Sequence, residues 1–151
     1  MSILITLVSV NWGVMWRNKT DSFLERFSME VALLREDAVS SYQQRAMELN
    51  LTDNVIRMGA VDLVKGFDPF KEVTMVEGFT LKNAIINGRK YSIGKVLVVF
   101  YPSGLIDKTI LQFEERKAGF SSVVINPLTA KVELFSGYVE EISLPGGNNP
   151  S

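Results

Sequence analysis

Met1 to Trp16 contain no charged side chain, and this uncharged stretch sets the strongest limit on the fold of the chain. From Arg17 to Arg45 charged residues are interspersed with apolar ones at helical spacing, and short β-type segments follow. No proline or glycine interrupts the chain between Val14 and Gly59, so one continuous helix to about Gln44 is expected. This order predicts an α+β protein in which a long N-terminal α-helix packs on an antiparallel β-sheet head.

Residues 1–19 form an apolar stem that resembles an incomplete membrane helix. As an α-helix, residues 2–16 would span roughly 22 Å, whereas crossing a bilayer takes about 20 residues. Trp12 and Trp16 stand beside Arg17 and Lys19, as aromatic and basic residues do at a membrane interface. We therefore expect the stem to be the remnant of an N-terminal membrane helix that begins upstream of Met1. A helix or strand buried in a soluble core is the alternative.

The segment after the stem shows one apolar stripe at helical spacing. The stripe consists of Phe23, Phe27, Val31, Leu34, Ala38 and Tyr42, and it is widened by Leu24, Leu33 and Val39. The polar face carries Glu25, Arg26, Glu30, Arg35, Glu36 and Asp37. Because propensity alone does not stabilise such a helix in water, we expect the strands to cover the striped face.

Short β-type segments occupy the chain from Ala46 onward. The predicted strands are 46–52, 55–58, 72–76, 80–86, 95–101, 109–113, 120–125 and 131–135. Asn87-Gly88 is the strongest hairpin signal in the chain. Five consecutive apolar residues from Val96 to Phe100 predict a central strand that is buried on both faces. We expect one or two antiparallel sheets within a unit of residues 20–144, followed by a disordered tail over residues 145–151.

The composition argues against an enzyme. The chain has no cysteine and no histidine, so the usual zinc, copper and iron sites and the Ser–His and Cys–His nucleophile pairs cannot be built. Sixteen basic side chains stand against seventeen acidic ones, and the absence of a basic run argues against nucleic-acid binding. We expect no catalytic residue, no cofactor and no metal site.

Two motifs resemble ligand sites but have simpler explanations. Gly88–Lys95 has five residues between its glycines where a phosphate loop has four, and no predicted helix follows, so a hairpin turn is expected. A loose acidic group lacks the ligand spacing of a calcium loop and predicts a solvated loop. Its members are Asp62, Asp68, Glu72 and Glu77.

Two further motifs resemble catalytic groups. Glu140 and Glu141 are a carboxylate pair, but adjacent residues of a strand point to opposite faces and would not share a substrate. Ser103 lies in a predicted turn, and the chain has no histidine to activate it. Both motifs are therefore interpreted as structural.

Two parts of the sequence carry a family resemblance. The first is Met29–Gln44 leading into Ala46–Leu51, which is similar to the passage from the helix to the first strand in a known protein family. The second is Val98–Gly104, followed by Thr109–Phe113 and by 123–134, which is similar to the final turns and strands of the family. Together they resemble type IV pilin-like proteins, most closely the H-type minor pseudopilins of type II secretion and related minor pilins. Ala130 stands where the family usually has a glycine in the last turn.

This resemblance implies a non-catalytic structural subunit of a pseudopilus or type IV pilus, acting in protein secretion or surface-fibre formation. The N-terminal helix would cross the bacterial inner membrane once and pack against other pilin-like subunits. The head would lie on the periplasmic or extracellular side and contact neighbouring subunits or a secreted client protein. The prepilin cleavage signature of the family is absent, so we expect a late start and a native, processed N-terminus that is methylated. A soluble β-rich binding module of unknown ligand is the alternative.

Overall fold

The computed structural model describes residues 10–116 and 119–139, and their side chains from residue 21 onward. One helix and nine strands occur in these ranges: α1 Val10–Ser41, β1 Arg45–Asn50, β2 Val55–Asp62, β3 Gly66–Val73, β4 Phe79–Ile86, β5 Arg89–Tyr91, β6 Lys95–Phe100, β7 Thr109–Glu115, β8 Gly119–Ile125 and β9 Val132–Ser136. Residues 1–9 and 140–151, which include much of the stem, the Glu140–Glu141 pair and the predicted tail, lie outside the described residues. One N-terminal helix with antiparallel sheets confirms the α+β class.

The strands form two antiparallel sheets. A four-stranded sheet has the order β3-β2-β1-β6, and a five-stranded sheet has the order β5-β4-β7-β8-β9. In the second sheet β7, β8 and β9 follow one another as a meander, because consecutive strands pair through short turns. After β5 the chain leaves the five-stranded sheet and returns to the four-stranded sheet, where β6 pairs with β1.

One face of α1 supplies most of the contact between the helix and the sheets. Five residues of the predicted stripe are buried, at 0–3% exposure: Phe23, Phe27, Val31, Leu34 and Ala38. They belong to a continuous apolar core with side chains from both sheets. Aromatic rings reinforce the contact, since Phe23 lies edge-on to Phe79 and Phe113 with centroids 5.2 and 5.9 Å away. The prediction that the strands cover the striped face is confirmed.

Three members of the predicted stripe were assigned wrongly. Leu33 and Val39 are exposed, at 55% and 39%, because they lie beyond the strip of helix surface that the sheets cover. Tyr42 is 84% exposed and follows the end of the helix at Ser41, so the helix does not continue to Gln44. Among the polar positions Glu30 is buried, at 7% exposure, because it forms an ion pair with the head.

The helix ends in a hydrogen-bonded cap that the sequence did not reveal. Tyr42 adopts φ +59°, the left-handed conformation that usually belongs to glycine. The N–H of Gln43 donates to the carbonyl of Ala38, and the N–H of Tyr42 donates to that of Val39, both at 3.3 Å. These two bonds are those of a Schellman motif, which satisfies the last carbonyls of the helix and turns the chain into β1.

The central strand was also predicted in the wrong place. The apolar run Val96–Phe100 forms β6, which lies at one edge of its sheet, and Leu97 is 37% exposed. The strand buried on both faces is β7, in the middle of the five-stranded sheet, although it contains Gln112. The apolarity of a segment does not say which strands lie on either side of it in the sheet.

The predicted acidic loop is largely strand. β3 covers Gly66–Val73 and pairs with β2, so Asp68 and Glu72 lie in a hairpin. Pro69 obscured this strand, because proline removes a ladder N–H and is tolerated mainly at sheet edges. β3 occupies such an edge.

Candidate interaction surface

The motifs that resembled ligand sites do not converge in the structure. Gly88–Lys95 spans the β4–β5 turn, β5 and the connection to β6, and Asn87 and Gly88 have φ +52° and +86°, as a tight hairpin requires. The hydroxyl of Ser103 accepts a 3.4 Å hydrogen bond from the N–H of Leu105 within its turn. Within the described residues, no group of three acidic side chains is arranged to hold a metal ion.

The acidic residues have local structural partners instead. Asp62 ends β2, and its Oδ1 accepts hydrogen bonds from the N–H groups of Val64 and Lys65. These bonds stabilise the carboxylate and lower the pKa of Asp62 below its ordinary value. Glu72 lies 3.7 Å from the guanidinium of Arg57 on the neighbouring strand. The acidic residues on this side of the head therefore stabilise a turn and a pair of neighbouring strands.

Polar side chains on α1 hold the helix in one orientation on the head. Arg35 donates to the carbonyls of Gly104 and Leu128, in the turns that follow β6 and β8. The carboxylate of Glu30 pairs with the ammonium of Lys71 on β3 at 2.5 Å. Because these contacts lie on either side of the apolar stripe, rotation of the helix about its axis would break both.

The opposite face of α1 is exposed and carries two apolar side chains. Met29 and Leu33 are each 55% exposed and lie one helical turn apart. Arg26 and Glu36 flank them on the same side and are also exposed. We call these four residues the outer helix face. The sequence did not predict the outer helix face, because Leu33 was assigned to the buried stripe and Met29 to neither the apolar nor the polar face of the helix.

A second exposed apolar feature lies at the tip of the β2–β3 hairpin. Leu63 and Val64 are 103% and 92% exposed, and Phe70 on β3 is 58% exposed. The side chain of Asp62 fixes the backbone of this tip through its two hydrogen bonds. Among the described residues, no other apolar side chain covers Leu63 and Val64. The signal in the sequence was an apolar pair between a turn-forming aspartate and a glycine.

In the described part of the chain, no helix combines the length and the apolar character needed to cross a membrane. The backbone of α1 is described from Val10, whereas the first nine residues of the stem lie outside the described range.

A solved protein structure shares this arrangement of one helix on antiparallel sheets. The structure of the minor pseudopilin EpsH from the type 2 secretion system of Vibrio cholerae matches with a TM-score of 0.60 and 14% identity, over 87% of this chain and 99% of that one. The chain has the pilin-like fold of EpsH. A crystal structure of EpsH matches with the same TM-score and identity over 78% of this chain and 96% of that one. No family model and no curated protein sequence matches.

One departure from the sequence pattern of pilin-like proteins has a structural explanation. Ala130, at the position where the pattern has glycine, adopts φ +67° and therefore keeps the left-handed conformation of a glycine. The turn is held by Asn126, whose carbonyl accepts from the N–H of Ala130 and whose side chain accepts from the N–H groups of Leu128 and Thr129. These bonds hold the turn and offset the backbone strain of an alanine at positive φ.

Proposed function

We propose that this chain is a non-catalytic structural subunit of a pilin-like assembly, either a pseudopilus of type II secretion or a type IV pilus. The proposal rests on one observation: α1 is bound to the head by one face and presents Met29 and Leu33 to solvent on the other. The match to EpsH supports the fold on which this proposal depends.

The outer helix face is the proposed contact with neighbouring subunits. Isolated exposed apolar residues are common on protein surfaces, but Met29 and Leu33 form a pair on a helix that continues from an uncharged segment. Packing two such faces together would remove apolar surface from water, at about 25 cal/mol per Å². Arg26 and Glu36 carry opposite charges beside the pair and would set the register between subunits.

The stem is the proposed membrane anchor. In this arrangement residues 1–19 are the end of a helix that crosses the bacterial inner membrane once, with the head on the periplasmic or extracellular side. Trp12 and Trp16 beside Arg17 suit the interface at which the helix leaves the bilayer. The exposed hairpin tip at Leu63 and Val64 is then available to a client protein or another subunit.

The first test is the mass of the N-terminal peptide of the native protein, isolated from membranes of the source cell. The proposal expects a peptide that extends upstream of Met1 and begins with a methylated phenylalanine. An N-terminus at Met1, in protein recovered from the soluble fraction, would reject the proposal and favour a soluble β-rich binding module.

A second test addresses the proposed contact itself. Because the chain has no cysteine, a Leu33→Cys variant carries a single thiol on the outer helix face. A crosslinker with one thiol-reactive end and one photoreactive end, applied to intact membranes, should join this variant to other pilin-like subunits. Thr74→Cys is the control, since Thr74 is exposed on the head and does not belong to the helix. Equal crosslinking of both variants would argue against a helix-mediated contact.

A further inference from the structure

One edge of the five-stranded sheet carries backbone groups that have no partner strand. β9 is the last strand of this sheet, and among the described strands it pairs with β8 alone. Just beyond β9, the N–H of Gly137 donates to the carbonyl of Phe120 at 2.9 Å. Bonded and non-bonded residues alternate along an antiparallel ladder, so the odd-numbered residues of β9 bond to β8. The N–H and C=O groups of Val132, Leu134 and Ser136 therefore point away from the sheet.

This edge of β9 is open to solvent. Within residues 10–116 and 119–139, no hydrogen bond reaches the outward backbone groups of Val132, Leu134 or Ser136. All five residues of β9 are half-buried or exposed, whereas the last five residues of β8 are buried. β9 contains no proline and pairs with β8 in an unbroken register, so it lacks the features that usually prevent a further strand from adding to an edge.

The other sheet edges are shorter, irregular or partly covered. β5 has three residues, and β3 contains Pro69 beside a shift in its register. On β6 the N–H of Val99 donates to the carboxylate of Asp107, and the N–H of Tyr101 donates to the carbonyl of Leu105. The chain that follows β6 therefore covers half of that edge. In the described part of the chain, β9 has the longest regular edge that is uncovered.

Exposed aromatic side chains lie beside the β9 edge, on the face of the sheet turned away from the main core. Phe120, Phe135 and Tyr138 are 51%, 42% and 38% exposed, and the ring centroids of Phe120 and Tyr138 are 4.8 Å apart. Phe135 lies opposite Ser122, two residues after Phe120, so Phe120 and Phe135 are diagonal neighbours on one face. A strand added to β9 would contact Phe135 directly.

We propose that β9 pairs with β9 of a second copy of this chain, in antiparallel orientation about a two-fold axis at Leu134. Val132 of each copy then lies opposite Ser136 of the other, and the two Leu134 residues face each other. This is the symmetric register that pairs all three open residues, with about six hydrogen bonds. The two five-stranded sheets become one continuous sheet. This contact belongs to the head and goes beyond the helix-mediated contact proposed above.

Charge and apolar surface favour a second copy in this register. Glu133 lies opposite Phe135 of the other copy, so its carboxylate faces no like charge. If Val132 lay opposite Leu134 instead, the two Glu133 carboxylates would face each other, which is unfavourable. In the proposed register the two Phe135 rings are diagonal neighbours, so the exposed aromatic groups of both copies form one patch. Backbone bonds then supply the attraction, and the side chains select the register.

The first test measures the mass of the purified full chain in a mild detergent, by sedimentation over a wide range of protein concentration. We expect an equilibrium between monomer and dimer. Ser136→Pro removes an outward N–H and no bond to β8, and its ring obstructs an added strand. It should raise the dissociation constant of the dimer by roughly tenfold or more. Ser136→Ala is the matched control, because it keeps the N–H and should leave the constant unchanged.

Two results of this test would overturn the proposal. One is a monomer at every concentration, and the other is a dimer that Ser136→Pro leaves unchanged. If Leu33→Asp abolishes a dimer that Ser136→Pro does not affect, the contact lies on the outer helix face. That result rejects pairing through β9 and leaves the proposed function intact.

A disulfide test does not depend on the folding of the proline variant. Since the chain has no cysteine, Leu134→Cys places one thiol from each copy at the two-fold axis. Directly paired residues have Cα atoms about 5.5 Å apart, which suits a disulfide. Glu133→Cys is the matched control, because the register keeps its two Cα atoms roughly 8 Å apart. Oxidation should link Leu134→Cys and spare Glu133→Cys, whereas equal linkage of the two variants, or none, would refute the proposal.

Discussion

Arg35 on α1 donates a 2.8 Å hydrogen bond from Nε to the carbonyl oxygen of Gly104, which lies 69 positions later in the chain. Its Nη2 donates a second bond, of 3.3 Å, to the carbonyl of Leu128. Gly104 has φ +95°, and a Cβ at this position would lie 3.3 Å from Arg35 Nη2. One guanidinium therefore joins the helix to two turns that come from different sheets.

Arg35→Ala should lower the free energy of unfolding by about 1–2 kcal/mol, because both carbonyls lose a charged donor. Urea unfolding of the purified protein measures this change. Arg26→Ala is the matched control on the outer helix face, and it should change the same quantity by less than about 0.5 kcal/mol. Equal losses for the two variants would show that the Arg35 contacts contribute no stability.

Leu34→Asp should destabilise the head by about 4 kcal/mol or more, because it places a carboxylate in the core at a position that is 3% exposed. Thermal melting followed by circular dichroism measures the effect. Leu33→Asp is the neighbouring control, since Leu33 is 55% exposed, and it should change stability by less than about 1 kcal/mol. An unchanged melting transition for Leu34→Asp would contradict the packing of helix on head.

Tyr42→Gly should raise the free energy of unfolding by about 0.5–1 kcal/mol. Tyr42 is exposed at φ +59°, where glycine has no Cβ strain and completes the helix cap without loss of packing. Ser40→Gly, at an exposed position inside the helix, should act in the opposite direction because glycine weakens a helix interior. Chemical denaturation of both variants gives the two signs, and a destabilising Tyr42→Gly would show that the tyrosine ring contributes contacts.

Ser121→Ala should stabilise the protein by about 1 kcal/mol, because the buried Ser121 hydroxyl has no hydrogen-bond partner among the described residues. The adjacent Ser122→Ala should lower stability by about 1–2 kcal/mol, since its hydroxyl bonds to Gly137 and Val139. Urea midpoints measured side by side test the pair. The prediction is wrong if the two alanine variants shift the midpoint in the same direction.

The local pattern of the sequence determined the elements that depend on near neighbours. The spacing of Phe23, Phe27, Val31 and Leu34 predicted the helix and its buried stripe, because residues three and four apart share a helix face. Asn87-Gly88 predicted its hairpin, because both residues accept positive φ. The absence of cysteine and histidine excluded the usual zinc, copper and iron sites and the Ser–His and Cys–His nucleophile pairs, because the side chains that they require are missing from the chain.

The tertiary structure decided everything that depends on residues far apart in the chain. It made β7 the central strand instead of Val96–Phe100, because sheet order is set by pairing and not by the apolarity of one segment. It buried Glu30 beside Lys71 and used Arg35 as a clamp, although both had been assigned to the polar face. It left Leu33 exposed, because the width of the covered stripe depends on how closely the two sheets approach the helix. The spacing of apolar residues along the helix does not determine that distance.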